Sequence, residues 1–245
     1  MPINRLILFI ILSISLNATG LPPSYYKIKN TKQKTVTFFN YLYPMIVESN
    51  NNILKERKFV KTYLTQDITQ IDKTSIDHQK LLDLATKYKI KTKDLYNINK
   101  YLKKIDTVPP SMALAQAAVE SNWGTSRFTK EANNIFGQWT YKGKGIVPKR
   151  RKSGHTHKIK LYDSLEASIE GYMELLNKGT AYKKFRNLRQ YYRKKSTIPS
   201  GLALSQTMIH YSGIGKKYLK ILRIMIRKHH LKRYDMQYYK LDRKE

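Results

Sequence analysis

The chain has 245 residues, with 47 Lys and Arg against 17 Asp and Glu for a formal net charge of +30, and no cysteine. That length admits one sizeable core with a helical extension, and the missing cysteines exclude a disulfide framework, a thiol nucleophile and a Cys-ligated metal. The charge draws the chain towards polyanions, among which the acidic bacterial envelope and anionic lipid rank well above nucleic acid; an A/T-rich codon bias would also enrich Lys, Ile, Asn and Tyr together.

Taken in order, Met1 to Arg5 carries positive charge, Leu6 to Leu16 is an uninterrupted apolar run, and Ala18-Thr19-Gly20 supplies small residues. This is the layout of a secretory signal peptide over residues 1–20, short for a membrane span. An uncleaved anchor is the alternative, and the absence of a cysteine after the run excludes a lipoprotein. A periplasmic or cell-envelope location follows as the expectation. Residues 21–34, with Pro22-Pro23, read as a linker. Phe38, Phe39, Leu42, Met45 and Ile46, then Ile53, Phe59, Val60 and Tyr63, predict two amphipathic helices broken near residues 49–52. Leu81, Leu82, Leu84, Ala85 and Tyr88 predict another. Thr92 is the expected N-cap of the next, with Leu95, Ile98, Tyr101, Leu102 and Ile105 on one face. Residues 21–104 are thus a linker and helical extension, with no chemistry of their own.

Residues 110–124, Pro-Ser-Met-Ala-Leu-Ala-Gln-Ala-Ala-Val-Glu-Ser-Asn-Trp-Gly, are the centre of the chain. Pro109 and Pro110 suit a first helical turn and Gly124 a stop. Met112, Ala115, Ala118 and Val119 make an apolar, mostly small face that lets neighbours pack close. Glu120 falls near the helix end. From composition alone it would be a surface residue of an Ala-rich helix; buried among apolar groups it would have the raised pKa that a general acid needs. A short helix at 126–132 follows, then a Gly-rich β-hairpin or small sheet over residues 135–162. Asp163-Ser164-Leu165-Glu166 opens a helix in a capping-box-like pattern, with Asp163 read as a cap, and Leu165, Ile169, Tyr172, Met173 and Leu176 form its inward stripe. Thr180 caps a helix holding Tyr182, Phe185 and Leu188. Residues 200–211 read as helical, Gly213 to Gly215 as a turn, and Tyr218, Leu222, Met225 and Ile226 as the last core helix. Residues 233–245 read as a basic tail without a pattern.

Ala115 to Gly124 resembles the catalytic signature of the peptidoglycan glucosaminidases. Thr125-Ser126-Arg127-Phe128 and Asn133-Asn134-Ile135-Phe136-Gly137-Gln138-Trp139 fit the same pattern. Gly145-Ile146-Val147-Pro148, Tyr162-Asp163-Ser164, Tyr172-Met173, Leu176-Asn177, Ala181-Tyr182 and Tyr211-Ser212 resemble the Bax branch of that family. Several blocks in the right order are far more specific than one short motif. The resemblance implies a mainly α (α+β) fold, a lysozyme-like helical lobe with a small β-hairpin lobe, and a catalytic domain at residues 105–232. It also implies a glycosidase acting on peptidoglycan or a related GlcNAc-containing glycan, with Glu120 as general acid and Tyr211 in the active site.

Trp139, Phe136 and Tyr141 are then candidates to floor a saccharide subsite, since sugar rings stack their C–H faces on aromatics. Asn134 and Gln138 are candidates to bond acetamido groups, and Gln116 and Trp123 complete the substrate-binding set. Each of these also reads, taken singly, as core or turn. Members of the family carry a second carboxylate in the hairpin, but here residues 135–161 contain no Asp or Glu, and Thr156-His157-Lys158 stands near the expected place. A rearranged site using Asp163 or Glu166, attack by the substrate's own N-acetyl group, and water held by neutral groups remain open. A lytic transglycosylase and a wall-binding protein without turnover are the rival functions. No cofactor is expected, and His155 with His157 makes a poor metal site.

Overall fold

The computed structural model describes residues 19–242 apart from 150, 152, 153 and 155. The apolar run at 6–16 and its signal-peptide reading lie outside the described residues. Among those described, no helix is long and apolar enough to cross a membrane.

The fold is mainly helical with a small antiparallel sheet, the lysozyme-like division expected from the sequence. A short helix α1 (Pro23–Tyr26) leads into α2 (Thr31–Tyr63), the spine of the molecule. Leu21 and Tyr25, in the stretch that the sequence suggested as linker, are buried. Phe38, Phe39, Leu42, Ile46, Ile53, Val60 and Tyr63 line the inward face of α2 at helical spacing. The expected break at residues 49–52 does not occur. Asn50, fully buried, instead donates its amide to the Val108 carbonyl at 2.9 Å and accepts from the Val108 N–H at 2.8 Å. A polar pair that looks like a helix stop is a clamp on the strand of chain entering the next core helix.

Helices α3 (Ile76–Lys87) and α4 (Ile98–Lys104) follow. Thr92 does not cap α4. It lies in a 3₁₀ turn, Thr92–Asp94, and Asn97 occupies the N-cap. After α5 (Pro110–Glu120) and α6 (Arg127–Ala132) come strands β1 (Trp139–Thr140), β2 (Gly145–Ile146) and β3 (Lys158–Lys160), in the order β1-β3-β2 with Trp139 opposite Ile159 and Gly145 opposite Lys160. Helix α7 (Leu165–Lys178) is capped by Ser164, whose hydroxyl accepts from the Ala167 N–H, rather than by Asp163. Helix α8 (Lys183–Lys194) turns Phe185, Arg186 and Arg189 inward. Helix α9 (Gly201–Ser205) is shorter than expected, and α10 (Lys216–Lys228) closes the core with Tyr218, Leu222 and Ile226.

The segment read as a basic tail forms an eleventh helix, α11 (Lys232–Asp242), with Tyr234, Asp235, Tyr238 and Tyr239 buried. Asp235 explains its place. Its carboxylate accepts from the Ser111 N–H (2.8 Å), the Ser111 hydroxyl (2.7 Å) and the Gly201 N–H (3.0 Å), so one side chain caps the N-termini of both α5 and α9. Burial pushes Asp235 up to about 6, against the pull of those donors. Asp235→Ala would orphan three buried donors at two positive helix ends, at a cost of about 2–4 kcal/mol for two caps. Thermal denaturation checks this, and an unchanged melting temperature would refute the capping role.

Candidate active site

Helix α5 starts where its missing donors are harmless, with Pro109 at the N-cap and Pro110 in the first turn, and every residue from Pro110 to Ala118 is buried. Its small side chains allow α2, α9, α10 and α11 to approach, so the helix is held along its length. It ends at Glu120. Asn122, Trp123 and Gly124 all take positive φ, at 48°, 58° and 72°. A Cβ at Gly124 would fall 2.4 Å from Leu21 Cδ1, so only glycine fits this turn. Tyr25 and Tyr26 donate their hydroxyls to the Trp123 and Gly124 carbonyls, at 2.7 and 3.2 Å, tying residues before α2 to the turn behind Glu120.

Glu120 stands half-buried at the mouth of this arrangement, with Oε1 enclosed and without a hydrogen-bond partner. Burial raises its pKa above the ordinary carboxylate range, and the Tyr218 hydroxyl, which bears on the carboxylate as a donor, opposes the rise only in part. A relay of neutral groups backs it. Tyr172 donates to Gln116 Oε1 at 2.7 Å, and Gln116 Nε2 donates to the Tyr218 oxygen at 3.0 Å. Gln116 lies one helical turn before Glu120, so both meet Tyr218 from the same face. Tyr211 stacks on Tyr218 with ring centroids 5.9 Å apart and donates to the Phe136 carbonyl at 3.1 Å. Burial raises the hydroxyl pKa of Tyr172, Tyr211 and Tyr218 far beyond the normal tyrosine value and that of Tyr182 to about 12, with the negative charge of Glu120 adding to each. All four tyrosines therefore stay neutral beside the carboxyl. Across from it Gly137 leaves a gap: a Cβ there would lie 3.6 Å from Glu120 Oε2.

The structure brings Glu120, Tyr211 and Gln116 together, but Gln116 is fully buried with both amide atoms engaged, so it positions neighbours rather than meeting a sugar. Three other predicted substrate contacts have partners within the fold. Phe136 is buried face to face with Tyr172 at 3.9 Å. Asn134 spends its amide on the Gln138 and Lys160 carbonyls and the Gln138 N–H, shaping the loop that presents Gly137. Trp123 packs edge-on against Phe38, Phe39 and His229, behind α5. Gln138 accepts from the Tyr162 hydroxyl. Trp139 and Tyr141 are 58 % and 71 % exposed, and Trp139 stacks on His157 at 4.2 Å. This pair remains open to a ligand.

Residues 135–161, which include the loop at Gly137, carry no Asp or Glu. Asp163 is exposed, and the charge of Glu166 acts on Tyr41 of α2. His157 lies against Trp139, and among the described residues no group of three His, Cys, Asp or Glu is placed to hold a metal. The sequence reading missed Tyr172 and Tyr218 as neighbours of Glu120, since both sit on stripes that read as core. A buried tyrosine hydroxyl needs a partner, and Gln116, four residues before Glu120, was the signal that could have found them.

Residues 96–231 match the sequence profile of the glucosaminidase family, described as mannosyl-glycoprotein endo-beta-N-acetylglucosaminidase. The chain is 29 % identical to the protein bax of Escherichia coli (strain K12) over 199 residues, covering 80 % of this chain and 70 % of that one. It is 33 % identical to the exo-glucosaminidase LytG of Bacillus subtilis (strain 168) over 84 residues, 31 % of this chain and 30 % of that one. No solved structure matches the chain significantly.

Proposed function

The chain belongs to the glucosaminidase family, and from that premise we propose that it is an exported enzyme hydrolysing β-1,4 bonds at N-acetylglucosamine in peptidoglycan, with Glu120 as proton donor. The observation that carries this reading is the burial of the Glu120 carboxyl, with Oε1 enclosed and Oε2 on the Gly137 side. Burial favours the protonated form of that carboxyl, and Oε2, the oxygen towards Gly137, is the one that would face the glycosidic oxygen. As the bond from C1 breaks, the Glu120 proton goes to the leaving oxygen and positive charge grows on the sugar. The Tyr211 hydroxyl proton is committed to Phe136, which leaves its oxygen lone pairs to face that charge or to orient the N-acetyl group.

With no Asp or Glu in residues 135–161, substrate assistance is the favoured course. The N-acetyl carbonyl oxygen bonds to C1 as the leaving group departs, and water then opens the resulting ring while its proton passes to the Glu120 carboxylate. The same single acid would serve a lytic transglycosylase, in which a sugar hydroxyl replaces water. Reducing-end analysis of digested peptidoglycan separates the two: new N-acetylglucosamine reducing ends support hydrolysis, and anhydro-muramic ends overturn it.

Tyr218→Phe removes the donor that favours the charged form of Glu120 and leaves Gln116 Nε2 without its acceptor. The Glu120 pKa then rises further, so the pH at which activity falls on the alkaline side should move upward. Loss of one buried hydrogen bond should also cost about tenfold in turnover. A purely structural role would shift the melting temperature and leave the alkaline limb in place.

A further inference from the structure

Residues 175–234 contain no Asp or Glu, and α10 lies in the last third of that stretch. Its inward face is Tyr218, Leu222 and Ile226. At 3.6 residues per turn, Ile224 points almost directly away from that stripe. Lys217, Lys220, Arg227 and Lys228 are exposed around it. None of the four forms a salt bridge among the described residues. Ile224 is 52 % exposed, and Ile214, in the turn that opens the helix, is 51 % exposed. The neighbouring His229 has its pKa lowered by burial, with the charges of Lys228 and His230 adding to the effect.

We propose that the outward face of α10 docks on an anionic lipid surface, with Lys217, Lys220, Arg227 and Lys228 meeting headgroups and Ile214 and Ile224 entering the interface. Unpaired cations alone would suit any polyanion. Exposed Ile224 among them, with exposed Ile214 in the turn before the helix, favours a bilayer, because burial of apolar side chains adds to the attraction only where an acyl boundary lies beneath the charges. The inward face of the same helix carries Tyr218, so docking would fix how the Glu120 site faces the space above the lipid. The proposal does not rest on the glycosidase reading, since partition to vesicles does not report activity.

The test is co-sedimentation of the full chain with vesicles of phosphatidylcholine alone or mixed with phosphatidylglycerol, at physiological salt, with a short DNA duplex as a second ligand. The wild type should partition to the anionic vesicles only. The triple variant Lys217→Gln, Lys220→Gln, Arg227→Gln should lose about 100-fold, at about fivefold for each basic residue. The double variant Ile214→Ser, Ile224→Ser should lose vesicle affinity several-fold while its DNA binding stays unchanged. Both alter exposed side chains, and circular dichroism confirms that they are folded. Equal binding to neutral vesicles, undiminished binding by the triple variant, or an isoleucine variant that binds anionic vesicles as well as the wild type would each overturn the proposal. The last would mark α10 as a site for soluble polyanions.

Discussion

Glu120→Gln should lower the release of sugar fragments from peptidoglycan by about 10²–10⁴-fold, the usual contribution of a general acid, and should stabilise the protein at neutral pH. Glutamine keeps the shape of the side chain and removes its proton chemistry. The stability effect follows from the raised pKa of Glu120. A carboxyl whose folded pKa exceeds its unfolded value contributes stability below the unfolded value. That contribution is lost as pH rises through the folded one. Above the unfolded value the folded wild type must either keep a proton on this carboxyl or bury its charge, and the amide does neither. The melting temperature of the variant should exceed that of the wild type by about 2–4 °C for each kcal/mol relieved. The gain should shrink as pH falls towards the ordinary range of a glutamic acid. Calorimetry across pH, beside zymography on purified peptidoglycan, reads both effects. Loss of activity together with loss of stability would mean that Glu120 holds the fold.

Arg189→Ala should be among the most destabilising single substitutions in the chain. Arg189 is 1 % exposed, and its guanidinium donates to the carbonyls of Lys103, Lys104, Asp106 and Thr107 and to Asn177 Oδ1, at 2.6–3.4 Å. The four carbonyls line the end of α4 and the bend that delivers the chain to α5, and Asn177 belongs to α7. Asp106 is buried beside it. Burial alone would raise the Asp106 pKa, but Arg189, Arg193 and Arg57 together hold it below the usual carboxylate range. Removing Arg189 strands several buried acceptors and unbalances a buried charge, a loss of about 3–5 kcal/mol from a total of about 5–15 kcal/mol. Arg189→Lys should recover little, because one ammonium cannot span acceptors that a planar fork reaches. Chemical denaturation measures both variants, and a midpoint within the range of an ordinary surface substitution would contradict the account.

The sequence made the helical stripes legible where apolar residues alone carry the pattern, as in α7 and α10, and where proline and the small residues of α5 set its start and packing. It was least legible where polar side chains do structural work at a distance. Asn50 looks like a helix break because its partner, Val108, is 58 residues away. Asp235 sits in a stretch rich in charge, and only the meeting of two helix N-termini gives it a reason to be buried. The same holds at the site. Glu120 stood out through the motif around it, whereas Gln116, Asn134 and Phe136, chosen as sugar contacts, are supports whose partners come from other elements. Local pattern reports what a residue can do, and the tertiary partner decides whether that capacity is already used.

The central claim is that Glu120 waits as a neutral acid because of where it is buried. Titration of its side-chain carboxyl by ¹³C NMR, assigned by the signal missing from Glu120→Gln, tests this most directly. The account predicts a midpoint above the ordinary glutamic acid range, matching the alkaline limb of the activity profile. A midpoint at or below that range would contradict it.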